Sequence, residues 1–175
     1  MAKTVFNIDP TIDDTTALIE RLIKHEKLMH GIYKCPAGKW TIGVGRNIQD
    51  VGISNEELIW LFQNRGFEGV DTLMPSSLSR PGALYLLAND INRVITELQK
   101  NVPGFDQLVE ARKHALIDMC FNLGLSKFMG FKKMLAALKE RDWDHAAVQM
   151  LDSKWAKQVG SRSTTLAAMM QNGSY

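Results

Sequence analysis

Between Glu26 and Arg46 the chain changes its hydrophobic period, and no other stretch constrains the fold as much. Upstream, from Asp13 to Met29, residues Ile19, Leu22 and Ile23 fall on one stripe of a helical repeat. Asp13, Asp14, Thr15 and Thr16 offer N-cap oxygens for that helix, and Gly31 can end it. Beyond it Ile32-Tyr33 and Lys39 to Val44 read as two short strands joined by the tight turn Cys35-Pro36-Ala37-Gly38. Gly43 and Gly45 bracket Val44 and leave room for a ligand or another backbone. A helix running into a hairpin is an α+β arrangement, and this one turns Glu26, Cys35 and Thr41 towards one cleft.

Glu26 continues the apolar stripe at the place where a leucine would be expected. Taking a carboxylate out of water disfavours its charged form, which suits a general acid that must hold a proton near neutral pH. A buried structural glutamate tied to an arginine is the plainer reading of such a residue taken alone. Cys35 would be a small buried hydrophobe by the same reasoning. It stands in a Pro-Gly turn between Lys34 and Lys39, and these two ammonium groups could help to raise its thiolate fraction.

The remainder of the chain is predominantly helical. Ser54-Asn55-Glu56-Glu57 is a capping-box pattern opening a helix to about Asn64. Residues 66–79, rich in Gly, Ser and Pro, read as an exposed excursion. Pro81 opens a long helix to Lys100 with Leu84, Leu87, Ile91, Val94, Ile95 and Leu98 on its stripe, and Val102-Pro103-Gly104 breaks it. Phe105 to Val109 gives a short turn or helix, and helices follow at Ala111 to Leu123, Phe131 to Lys139, Trp143 to Ser153 and about Ser161 to Met170. Short connections make these a bundle.

With 45% hydrophobic and 23% charged residues the chain is an ordinary globular protein able to bury a core. Its formal charge of +2 is no nucleic-acid signature, although it would not oppose an anionic polymer. Cys35 and Cys120 are the only cysteines, which excludes a disulfide-rich scaffold, and Cys120 lies in an apolar helical pattern. His25, His30, His114 and His145 lack zinc-ligand spacing, so neither a metal nor a cofactor is expected. Residues 1–12 have no charged start followed by a long apolar run, so neither a signal peptide nor a membrane anchor is expected.

The spacing Glu26, eight residues, Cys35, five residues, Thr41, followed by Ile42-Gly43-Val44-Gly45, resembles the phage-type, T-even-like lysozymes, the endolysin family of glycoside hydrolases. Cys120-Phe121-Asn122-Leu123-Gly124, Gly130-Phe131, Trp143 to Val148, Ser153-Lys154-Trp155 and Arg162 look like family segments in the same order, so the resemblance runs from about Asp13 to Met170. Two positions depart from the family pattern: Cys35 stands where the family has a catalytic Asp, and Arg46 where it has a His.

The resemblance implies a two-lobed fold, with a small hairpin lobe over about 30–80, a linking helix over about 81–100, and a helical lobe over about 101–175 joined by the N-terminal helix 13–29. It implies Glu26, Cys35 and Thr41 as catalytic residues and Asn122, Leu123, Phe131 and Lys154 as saccharide contacts. As supporting pairs it implies Arg162 with Glu26 and Arg46 with Asp90. The implied activity is a muramidase cutting the β-1,4 bond between N-acetylmuramic acid and N-acetylglucosamine in peptidoglycan, with Cys35 as base, charge stabiliser or nucleophile. A lytic transglycosylase using Glu26 alone and a non-catalytic peptidoglycan-binding phage module are the alternatives. The implied setting is a monomer held in the host cytoplasm until a holin opens the way to the wall, with no nucleic-acid partner and no membrane insertion.

Overall fold

The computed structural model describes residues 7–68 and 77–175, and the chain divides into two compact units. One holds the described residues of Ile19–Asp90; the other holds Asp9–Leu18 and Ile91–Tyr175. The divisions fall inside two helices, α1 (Thr15–Glu26) and α3 (Arg80–Asn101).

Helix α1 begins where the sequence offers its caps, with the Asp14 carboxylate accepting the Ala17 N–H at 3.0 Å. Leu18 and Leu22 are its fully buried residues, while Ile19, Ile23 and Glu26 are half-buried along the same side. The helix is shorter than its periodicity suggests. It stops at Glu26, Lys27 takes a left-handed conformation (φ 64°), and Met29–Lys34 is already strand β1. The cause is tertiary: β1 pairs with β2 (Trp40–Gly43) from Met29 opposite Gly43 to Lys34 opposite Trp40, and ladder bonds replace the last helical turn.

The two expected strands belong to a larger antiparallel sheet. Strand β3 (Arg46–Asn47) adds to β2, and the ends of the supposed exposed excursion pair as β4 (Phe67–Glu68) and β5 (Ser77–Leu78). The strand order is β3-β2-β1-β5-β4. The expectation of a loose segment over 66–79 is thus corrected at both ends, and its middle, 69–76, lies outside the described residues. Helix α2 (Asn55–Gln63) opens with the expected capping box between Ser54 and Glu57.

Ile42, Leu61, Phe67, Leu78, Ala83 and Leu86 form the core of this unit. At Gly43 a side chain would be strained: φ is 65°, and a Cβ there would press on Leu78 Cδ1 at 3.3 Å.

In the other unit a 3-10 turn (Phe105–Gln107) leads to α4 (Glu110–Leu123), α5 (Leu125–Phe128), α6 (Lys132–Lys139), α7 (Trp143–Leu151), α8 (Lys154–Val159) and α9 (Ser161–Asn172). Helices α6, α7 and α9 and the buried length of α4 pack around Leu116, Met119, Phe128, Met134, Met150 and Leu166. The chain from Asp9 to Leu18 is strapped onto this bundle: Lys113 donates to the Thr11 carbonyl at 2.7 Å, and Glu110 accepts the Asp13 N–H at 2.9 Å. Helices α5 and α8, of four and six residues, are absent from the sequence reading because so few residues carry no period. Among the described residues no helix is long and apolar enough to cross a membrane.

Candidate active site

The hairpin that carries Cys35 is locked by its own backbone. Cys35 N–H donates to the Lys39 carbonyl at 3.0 Å, and Gly38 N–H returns to the Cys35 carbonyl at 2.7 Å, closing a turn in which Pro36 presets the backbone. The half-exposed thiol therefore sits at a fixed point beyond the last rung of the β1–β2 ladder. Thr41, nearly fully buried, donates its hydroxyl to the Lys39 carbonyl at 3.0 Å.

What burial the thiol has pushes its pKa up. Hydrogen bonds from the Lys39 and Ala37 backbone, the Thr41 side chain and its own N–H overrule that and leave it below the ordinary thiol value. The expectation that the flanking ammonium groups would do this is corrected. Lys34 lies over the Trp40 ring at 4.8 Å and Lys39 pairs with Asp50 at 3.1 Å, so Lys39 helps through its N–H and not through its charge.

Tyr33 belongs to this group too, although its sequence context marks it only as a strand residue. It stands opposite Thr41 in the ladder. Burial and the negative charges of Glu26 and Cys35 raise its phenol above the ordinary value, against a hydrogen bond from the Gly45 backbone. One phenol thus feels both the carboxylate at the end of α1 and the thiol of the turn. Its strand register with Thr41 was the available signal.

Arg46 is almost completely buried and meets Asp90 as expected, Nε donating to Oδ2 at 2.8 Å. Its larger partner is Glu57, bound through two contacts of 2.7 and 3.0 Å, and the carbonyls of Gly52 and Leu86 take the remaining donors. Glu57 also accepts the Ser54 N–H at 2.9 Å and the Asn89 amide at 3.0 Å. Burial pushes its carboxyl up, but the bonds from Arg46, Ser54 and Asn89 together with the Arg46 charge hold it at about 2. The sequence reading saw only the capping half of this residue.

In the other unit Arg162 donates from Nε to Asp118 Oδ1 at 2.8 Å, and Asp118 is completely buried. Asp118 was hidden in the apolar pattern of α4; one acid among nine buried residues of that helix was its only signal. Asn122, at the end of α4, accepts the Trp155 indole N–H at 3.0 Å. Leu123, Phe131 and Lys154 line a cavity of about 670 Å³, where Phe131 meets Trp155 edge-on with ring centroids 6.3 Å apart. Three of the four expected saccharide contacts share that cavity, and the fourth is bonded to its wall. Among the described residues no cluster of His, Cys, Asp and Glu is placed to hold a metal ion.

Known proteins are similar to this chain over most of its length. A probable T4-type lysozyme 1 of Dictyostelium discoideum is 25% identical over 146 residues, 81% of this chain and 86% of that protein. The probable T4-type lysozyme 2 of the same organism is 27% identical with the same coverage. The pre-baseplate central spike protein Gp5 of Enterobacteria phage T4 is 26% identical over 168 residues, which is 94% of this chain and 29% of the spike protein. The family model described as phage lysozyme matches residues 23–170, a span that takes in the end of α1, the sheet and all of the helices to α9. That match spans most of the chain and agrees with the α+β fold: the chain belongs to the phage lysozyme family.

Proposed function

We propose that this protein is a muramidase, hydrolysing the β-1,4 bond between N-acetylmuramic acid and N-acetylglucosamine as a phage endolysin. The observation that supports the reading is the hairpin itself: two backbone hydrogen bonds fix Cys35 on its turn, the Thr41 hydroxyl is held on the Lys39 carbonyl of that turn, and by the sequence resemblance Cys35 takes the place of the family's acid. Glu26 gives its proton to the leaving glycosidic oxygen. A water molecule, held by the Thr41 hydroxyl, attacks the anomeric carbon as the glycosidic bond breaks, and Cys35 as thiolate takes the water's proton. Asn122, Leu123, Phe131 and Lys154 bind saccharide, while the buried Arg46–Asp90 and Arg162–Asp118 pairs stiffen the elements they join. In this reading the monomer waits in the host cytoplasm and reaches the periplasm and the wall once a holin permits it.

A second reading is favoured by one finding. The likeness to a central spike protein covers nearly the whole of this chain, so the same fold also fits a wall-directed module of a phage particle.

Mass spectrometry of muropeptides released from purified peptidoglycan tests the chemistry on wild type, Glu26→Gln, Cys35→Ser and Cys35→Asp. Hydrated reducing ends are expected, with activity lost by about a hundredfold or more in Glu26→Gln and Cys35→Ser and kept in Cys35→Asp. Anhydro ends, or indifference to both Cys35 substitutions, would give the chemistry to Glu26 alone and make the enzyme a transglycosylase. Wall binding without any release in wild type would leave only the non-catalytic module.

A further inference from the structure

The catalytic hairpin has two faces, and its register sorts the side chains between them. Tyr33 stands opposite Thr41 and Lys34 opposite Trp40, and the bond from the Cys35 N–H to the Lys39 carbonyl carries the same register one rung further. Successive strand residues point to opposite sides of a sheet, so Tyr33, Cys35, Lys39 and Thr41 share one face. Lys34 and Trp40 share the other, where the ammonium lies 4.8 Å from the centre of the indole ring. Residues directly opposite each other bring their Cβ atoms to roughly 5 Å. The Tyr33 phenol therefore rises beside the Thr41 hydroxyl, on the side where the thiol stands.

The groups on that face differ in what they can give a water molecule. A hydroxyl has one proton to donate, and Thr41 commits its own to the Lys39 carbonyl at 3.0 Å. Towards water the Thr41 oxygen can only accept, and a thiolate at Cys35 likewise only accepts. Two acceptors hold a water by its protons and leave its oxygen free to turn, whereas attack needs one lone pair aimed at the anomeric carbon. A donor to the other lone pair supplies that aim. The Lys39 ammonium is engaged by Asp50 at 3.1 Å, so Tyr33 is the donor left on the face. Burial and the charges of Glu26 and Cys35 raise its pKa, so the phenol keeps its proton through the neutral range. Thr41 is nearly fully buried and Tyr33 half-buried, which puts the phenol at the rim of the approach to Thr41.

We propose that the Tyr33 hydroxyl donates a hydrogen bond to the attacking water and, with Thr41 and Cys35, fixes its direction of attack. The inference rests on the muramidase reading and gives that reaction a third group that holds the water. In the step, the water oxygen bonds to the anomeric carbon as the glycosidic bond breaks, and Glu26 gives the leaving oxygen its proton. One water proton passes to the Cys35 sulfur, the other stays on the new hydroxyl beside Thr41, and Tyr33 keeps its own.

The test is steady-state turnover of soluble peptidoglycan fragments by the full chain as wild type, Tyr33→Phe, Thr41→Val and the double variant, with urea midpoints as the check on folding. Losing a hydrogen bond made only to the water should lower kcat about tenfold and leave KM unchanged. Both hydroxyls hold one water, so the double variant should lose little more than the larger single loss. Tyr33 replaced by meta-fluorotyrosine keeps the donor and should retain wild-type kcat. Undiminished kcat in Tyr33→Phe, a raised KM in place of a lowered kcat, or losses that multiply would overturn the proposal. Should Thr41→Val fail to fold, the Tyr33→Phe and fluorotyrosine arms decide it. Anhydro ends from wild type, or turnover by Glu26→Gln, would instead overturn the muramidase reading, whereas a dead Glu26→Gln beside a fully active Tyr33→Phe would sink the role of Tyr33 alone.

Discussion

The two cysteines carry one side chain into opposite environments. Cys35 sits half-exposed on a turn, among N–H groups and a threonine hydroxyl that hold its thiol below the ordinary value. Cys120 lies inside α4, where burial and then the charge of Glu97 push its thiol up to about 12. Its neighbours are the apolar residues of a helix core. The difference teaches that the hairpin, and not the residue type, makes a thiol useful: donors fixed by a tight turn stabilise the anion, while a packed helix suppresses it.

The widest separation should appear in alkylation of the native protein by iodoacetamide near pH 8. With a pKa of about 12 only a trace of Cys120 is thiolate, so Cys35 should react at least about a thousandfold faster. Comparable rates at the two sites, followed by peptide mass spectrometry, would break the comparison.

Glu57 sharpens it, being nearly as buried as Cys120 yet depressed as Cys35 is. Its pKa is lowered on folding from 4.5 to about 2, so the stability it contributes is complete above about pH 4.5 and is lost as pH falls through about 2. Urea midpoints should therefore fall across that window by the equivalent of roughly 2 to 3 kcal/mol, and a Glu57→Gln variant should lack this step. A flat profile would mean that Arg46 does not hold Glu57 charged.

The smallest effects come from one substitution made at both cysteines. Cys120→Ser places a hydroxyl in an apolar site and should cost about 1–3 kcal/mol by denaturant unfolding, with activity per folded molecule unchanged. Cys35→Ser should alter stability by no more than about 0.5 kcal/mol. A larger cost at the turn would make Cys35 a packing residue.

Much of this was legible because it is written in local patterns. The capping box of α2, the stripe of α3 and the Pro-Gly turn at Cys35 each state their geometry within a few residues. The family spacing added Arg46 to Asp90 across the sequence. What escaped was settled by distant partners. Met29 entered a strand because Gly43 lies opposite, and β4 and β5 are two-residue pairs with no alternation to read. Glu57 advertised itself as a cap and concealed its bond to Arg46, while Asp118 looked like an interruption until Arg162 met it. The turn at Cys35 was legible from Pro36 and Gly38, whereas the effect of the Lys39 and Ala37 backbone on its thiol is not written in the flanking lysines.

Arg46 has one more consequence, for how this unit comes apart. Its donors end on α2, on α3, and on the backbone at Gly52 and Leu86, so strand β3 is tied to three other places at once. Peeling that strand away would take the guanidinium from the buried carboxylates of Glu57 and Asp90, which costs more than the two rungs the strand itself contributes. Partial opening at this edge is therefore penalised, and the sheet, α2 and the first half of α3 should exchange their amide hydrogens as one block.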